Sequence, residues 1–197
     1  MKKSFNVVVL ISGNGSNLQA IIDAVKAKEL DINLCLVLSN KADAFGLQRA
    51  AKAKIPTKVI EHSQYSTRLD FDLEMMKAID EYKPDLVVLA GFMRILSKEF
   101  VQHYDNRMIN IHPSLLPKYK GTNTHQRVLD SGDKEHGLSI HYVTNELDSG
   151  PILKQVKITV NSDDTAESLA KRLLIEEHKA YPEVIKQLCY KDKYCLK

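Results

Sequence analysis

The sequence predicts an α/β protein: a mostly parallel sheet with helices on both faces. Three observations predict it. Apolar, β-branched runs without polar alternation recur at residues 5–11, 32–38 and 85–90, the mark of strands buried on both faces. Between them lie stretches whose apolar residues recur three and four apart, the helical period. Strands that alternate with helices need crossover connections, and crossovers make neighbours parallel.

The elements follow in order. Residues 5–11 form the first strand, Gly13-Asn14-Gly15-Ser16-Asn17 turns the chain, and a helix runs over 18–25 with Leu18, Ile21, Ile22 and Val25 on one side. A second strand covers 32–38, a helix 45–54 with Leu47, Ala50 and Ala51 on its apolar side, and a short strand 58–60. A longer helix over 66–82 ends at Lys83-Pro84, because the residue before a proline avoids helical backbone. Residues 85–90 are another buried strand. Ser97 caps a short helix through Tyr104.

The run Met108-Ile109-Asn110-Ile111-His112 is a strand that Pro113 stops, since proline has no N–H for a central ladder. A loop over 113–123 leads to a short helix over 124–130. Residues 138–143 alternate as a strand, 145–151 turn, and 152–160 return as its hairpin partner. A long amphipathic helix over 165–188 is expected to break or kink near Pro182.

The chain has 197 residues, 44% hydrophobic and 27% charged. That fits one globular domain with a sizeable core. A net charge of +3, with both signs scattered and no dense Lys/Arg block, is too mild to argue for nucleic acid. Cys35, Cys189 and Cys195 are odd in number and not spaced as metal ligands, which suits a reducing cytosol. Met1-Lys2-Lys3 precedes an apolar run that ends at Ile11, too short for a signal peptide. No stretch approaches the ~18 apolar residues of a membrane span.

Two places carry chemistry. A strand, a Gly-x-Gly turn and a helix expose backbone N–H groups and the positive end of a helix dipole to an anion. No Lys-Ser/Thr follows the glycines, Leu18 holds the third glycine position, and Ser39-Asn40 stands where a ribose-binding acid would be. A single phosphate therefore fits better than a dinucleotide; the alternative is a plain tight turn. The second place is Asn110 and His112, two apart and so on one face of the strand. They set an amide beside an imidazole that moves protons near neutral pH, at a strand's carboxyl end, where open α/β sheets bind ligands. The alternative is two solvated polar residues at a strand end. His136 and His141 are five apart and face opposite sides of one strand, a poor metal pair. Asp148 is a turn cap unless the fold brings it to His112.

Four segments resemble the phosphoribosylglycinamide formyltransferase family, folate-dependent transformylases of purine synthesis. They are Ile11-Ser12-Gly13-Asn14-Gly15-Ser16-Asn17, Ala90-Gly91-Phe92-Met93-Arg94-Ile95-Leu96, Asn110-Ile111-His112-Pro113-Ser114-Leu115-Leu116-Pro117 and Glu146-Leu147-Asp148-Ser149-Gly150-Pro151. The resemblance runs from the first strand to the last helix. It implies a Rossmann-like formyltransferase fold with an antiparallel C-terminal strand pair. It implies one domain over 1–197, with a phosphate-binding half over about 1–100 and a catalytic and folate-binding half over about 101–197. Asn110, His112 and Asp148 match the catalytic trio. Gly15, Ser16 and Asn17 match the substrate's phosphate loop, and Glu177 the acid that holds the substrate's other end. Arg68, Met93, Arg94, Ile95 and Leu96, with Asn110 and the loop Tyr142, Val143, Thr144, Asn145, Glu146, Leu147 and Asp148, match the folate-binding segments. The resemblance also implies a cis peptide at Leu116-Pro117. Where relatives often read Lys-Tyr-Pro-Gly-x-His-x-His, this chain has Lys118-Tyr119-Lys120-Gly121-Thr122-Asn123-Thr124-His125. Ser149 replaces a frequent glycine.

The implied reaction moves a formyl group from 10-formyltetrahydrofolate to the amine of glycinamide ribonucleotide, with no metal. The implied partners are these small molecules alone, with no nucleic acid and no membrane, for a cytoplasmic monomer or weak homodimer. In that reading Asn110 and a protonated His112 meet the oxyanion, and Asp148 favours the cationic imidazole. Two related activities compete. Formyltetrahydrofolate hydrolase normally carries an extra N-terminal domain and methionyl-tRNA formyltransferase a C-terminal barrel, and this sequence shows neither. A nucleotide-binding module without catalysis would have no use for the trio.

Overall fold

The computed structural model describes residues 4–194; Met1, Lys2, Lys3 and Cys195 lie outside the described residues. Seven strands form one sheet in the order β3-β2-β1-β4-β5-β6-β7. β1 (Asn6–Ile11), β2 (Asn33–Ser39), β3 (Thr57–Val59), β4 (Leu86–Leu89) and β5 (Met108–His112) are parallel. β6 (Glu135–Tyr142) and β7 (Ile152–Thr159) are antiparallel to their neighbours. Six α-helices are described: α1 (Ser16–Lys26), α2 (Phe45–Lys52), α3 (Arg68–Asp80), α4 (Lys98–His103), α5 (Thr124–Ser131) and α6 (Ala166–Tyr194).

The two-sided burial read from the strands is met residue by residue. Val7, Val9 and Ile11 point into a core shared with Leu18 and Ile21 of α1 and Tyr181 and Ile185 of α6. Val8 and Leu10 point the other way, to Phe71 and Met75 of α3 and Phe100 of α4. Burying a side chain such as Ile21 or Phe71 contributes roughly 1.5–3 kcal/mol. The chain leaves β1 toward β2 and β3, then returns across the sheet to β4. The strand order thus reverses between β1 and β4, and a crevice opens at their carboxyl ends.

Several elements depart from the sequence reading. Of the break or kink expected near Pro182, the break does not occur: α6 runs on through it, with Tyr181, Val184, Ile185 and Cys189 buried around it, and this packing outweighs one missing helical hydrogen bond. β6 starts at Glu135, three residues before the alternation begins, because Glu135, His136 and Gly137 pair with Thr159, Ile158 and Lys157 of β7. Cross-strand pairing extends a strand past its own pattern. The cap of α3 is Thr67, whose side chain accepts from Asp70 N. On α2 the buried residues are Gly46 and Ala50, while Ala51 faces solvent. β3 is a three-residue, exposed edge strand. The Leu116–Pro117 peptide is cis, as expected.

Candidate active site

β1 ends at Ile11 and the chain swings over the crevice. Gly15 caps α1 in the left-handed region, at φ 71°, with no side-chain cap bond. The first N–H groups of an 11-residue helix therefore stay free, which is the requirement for anion binding. A Cβ on Gly15 would stand 2.7 Å from the Gly46 Cα. Gly15 is thus demanded by its own φ and by α2 packed behind it; Gly13 has nothing within 4 Å and is the glycine that borders open space. Arg49 of α2 straps the loop: Nε donates to Asn14 O at 2.9 Å and Nη2 to Asn14 Oδ1 at 3.0 Å. Ser12 joins three strand ends. Its N–H donates to Gly91 O, its Oγ to Asn40 Oδ1 at 2.6 Å, and Met93 N donates to its Oγ at 2.8 Å.

Asn17 connects this loop to α6. Its Nδ2 donates to Glu177 Oε2 at 2.7 Å, and its own Oδ1 is a buried acceptor without a partner. Burial raises the Glu177 pKa, and the bond from Asn17 opposes it. His178 beside it is lowered by burial and then by the charge of Arg49.

The trio converges at the end of β5. His112 is 5% exposed. Its Nδ1 lies 3.4 Å from Asp148 Oδ2, across 36 residues of chain. Its Nε2 donates to Tyr119 O at 2.9 Å, because a carbonyl only accepts. Asp148 takes a left-handed backbone, φ 47°, and also accepts from Gly121 N at 2.9 Å. Antiparallel pairing sets Asn110 opposite His141. His141 Nδ1 donates to Tyr142 O at 2.8 Å. In the neutral ring Nε2 then bears the lone pair and accepts from Asn110 Nδ2 at 3.4 Å. His141 Nε2 is also 3.7 Å from Asp148 Oδ1. Burial lowers the His141 pKa, opposed by its bond to Tyr142 O and by Asp148. His136 does not join this cluster; it meets His125, Nε2 to Nδ1, at 3.0 Å.

The segments expected to hold folate follow β4 and β6 and include the start of α3. Arg68 opens α3, and Arg94 is half-buried with its Nε lacking a partner. Both arginines act on buried Asp72, whose pKa is raised by burial and lowered by its bonds from Ser97 and by their charge. Leu96 and Val143 pack on the same core as Phe71. Met93, Ile95 and Leu147 stay exposed, Met93 at 72%. Tyr142 and Thr144 are half-buried, and Asn145 and Glu146 are exposed.

Sequence reasoning set His141 aside as half of a poor metal pair and passed over Arg49 and Gly46. Only the β5–β6 register places His141 on Asn110. Among the described residues no cluster of three His, Cys, Asp or Glu is placed to hold a metal ion, and no helix is long and apolar enough to cross a membrane.

Residues 5–185 match the family model described as formyl transferase. The chain is 54% identical over 180 residues to phosphoribosylglycinamide formyltransferase of Escherichia coli, covering 91% of this chain and 85% of that one. It superposes with a TM-score of 0.90 on phosphoribosylglycinamide formyltransferase from Coxiella burnetii, at 54% identity, covering 93% and 86%. It also superposes at 0.91 on glycinamide ribonucleotide transformylase 1 from Symbiobacterium toebii, at 39% identity, covering 93% and 86%.

Proposed function

The chain belongs to the formyl transferase family, and on that premise we propose that it transfers the formyl group of 10-formyltetrahydrofolate to the amine of 5-phosphoribosylglycinamide in purine biosynthesis. The observation that carries this reading is that an uncapped helix start after β1 and the His112–Asp148–Asn110 cluster after β5 lie at the same carboxyl edge of the parallel strands β1, β4 and β5. Neither hydrolysis nor bare nucleotide binding uses both.

Each residue then takes a role. The acceptor's phosphate sits on the N–H groups of Gly15, Ser16 and Asn17. The free oxygen of Glu177 accepts from the ribose. Arg68, Arg94 and the 142–148 loop hold the folate, with Met93, Ile95, Leu96 and Leu147 against its apolar surface. As the amine attacks, the formyl oxygen gains charge. One N–H of the Asn110 amide is held by His141 Nε2 and the other is left for that oxygen; a donor so placed contributes about 3–4 kcal/mol. In the imidazolium, the His112 Nε2 proton faces a carbonyl that cannot take it. Nδ1, facing Asp148, is the atom that moves a proton to the departing folate nitrogen. Asp148 balances the cation and takes up the proton the amine loses. The amine is itself the nucleophile, so the sequence of steps uses no covalent enzyme intermediate and no metal.

The first 100 residues supply the phosphate loop and the rest the catalytic cluster within one domain, although Met93 to Leu96 and Glu177 each serve the other half's ligand. The protein works in the cytoplasm on small molecules, as a monomer or weak homodimer. The test is a transfer assay with the acceptor and its dephosphorylated form. Loss of the phosphate should lower kcat/KM about a hundredfold or more, the worth of two charge-assisted hydrogen bonds. Equal turnover would refute the phosphate assignment. Formate release at the transfer rate without acceptor would favour hydrolysis instead.

A further inference from the structure

Both partners of the catalytic pair rest on one short piece of backbone. His112 Nε2 donates to the carbonyl of Tyr119, and Gly121 N donates to Asp148. Tyr119 has a left-handed φ of 55°, which a residue with a side chain rarely adopts, so this segment does not hold its shape by local preference. It also borders an open cleft of about 420 Å³ that Tyr119 lines with Lys118, Asp133 and His136, so packing alone does not fix it either.

What holds it is Arg127 on α5. Its Nη1 donates to Lys120 O at 2.7 Å and to Thr122 O at 3.3 Å. Its guanidinium lies over the Tyr119 ring, 5.4 Å from the centroid. The Tyr119 hydroxyl is tied in turn to Asp133 Oδ2 at 2.8 Å, and the Lys120 side chain reaches Ser149, next to Asp148. The decisive point is covalent. Lys120 C=O and Gly121 N–H are the two ends of one planar, trans peptide unit. Arg127 grips the oxygen end and Asp148 the hydrogen end. A cation on the carbonyl polarises the unit, and chains of hydrogen bonds strengthen one another.

We infer that Arg127 is a positioning residue for the formyl transfer, acting on Asp148 through the 120–121 peptide without touching either substrate. The inference rests on the catalytic role of Asp148 proposed above. Arg127 lies on the exposed face of its helix, so its replacement is expected to leave the fold intact.

The experiment is a double-mutant cycle on full-length protein with Arg127→Ala and Asp148→Asn, with Arg127→Lys alongside and melting temperatures as a control. Arg127→Ala should lower kcat roughly tenfold, about one charge-assisted hydrogen bond, with KM for both substrates within about twofold. Arg127→Lys should fall between, since an ammonium lacks the planar fork. In the Asp148→Asn background the further loss from Arg127→Ala should shrink to less than about twofold, because the route it acts through is gone. An unchanged kcat for Arg127→Ala, or the same fold-loss in both backgrounds, would overturn the inference and leave the catalytic reading standing. Near-normal turnover of Asp148→Asn alone would overturn that reading, and this inference with it.

Discussion

At the end of β5, four polar side chains meet in a buried cluster: Asn110, His112, His141 and Asp148, each holding or facing another at 3.4–3.7 Å. At the end of β1 the side chains withdraw, and the helix start offers bare N–H groups over two glycines. The first region must place charge and protons at defined atoms, so it depends on side-chain identity. The second must let an anion approach the backbone, so it depends on the absence of side chains. Substitutions should therefore fail differently in the two regions: in turnover at the first, and in folding or acceptor binding at the second.

The largest expected effect tests the side-chain region. Asp148→Asn keeps the shape and removes the charge opposite His112. Proton transfer by a placed group is worth roughly 10²–10⁴-fold, and kcat should fall by that amount. Folate affinity and melting temperature should barely move. A kcat near the parent's would reduce Asp148 to a turn cap and erase the contrast.

The glycine pair sharpens the backbone region. Gly15→Val puts a β-branched residue at φ 71° and a Cβ 2.7 Å from Gly46 Cα. The strained backbone alone costs about 1–3 kcal/mol, so this variant should lose stability before anything is learned of binding. Gly13→Ala meets nothing within 4 Å. It should fold normally and raise the acceptor's KM about tenfold, near one displaced hydrogen bond to a charged group, with the folate KM unchanged. Urea titration and steady-state kinetics of both variants decide it; a Gly13→Ala enzyme with parental acceptor KM would move the phosphate elsewhere.

A further contrast is in pH. The histidine side of the molecule carries His136, whose pKa burial, then His125 and His112, push down to about 4; the glycine loop has no titratable side chain. The unfolded chain takes up this proton near pH 6.5, before the folded one does. The contribution is fully present above that pH and is lost as pH falls toward 4, by about 3 kcal/mol at most. Urea midpoints between pH 7.5 and 4.5 should fall accordingly, and His136→Gln should flatten the slope. An unaltered slope would remove His136 as the source.

The sequence by itself determined the sheet and the loop. Strands buried on both faces have to be apolar throughout, a Gly-x-Gly between strand and helix exposes N–H groups wherever it occurs, and Pro113 ends β5 at His112 because it lacks an N–H. These are local consequences of residue chemistry. Asp148 beside His112, His141 on Asn110, Gly46 behind Gly15 and Arg127 on the Lys120 carbonyl were decided only by the tertiary structure. The first three depend on strand register or helix packing between segments far apart in the chain, and the last on how the loop before α5 folds back on that helix; a pair of residues carries no mark in sequence of the partner that folding will bring.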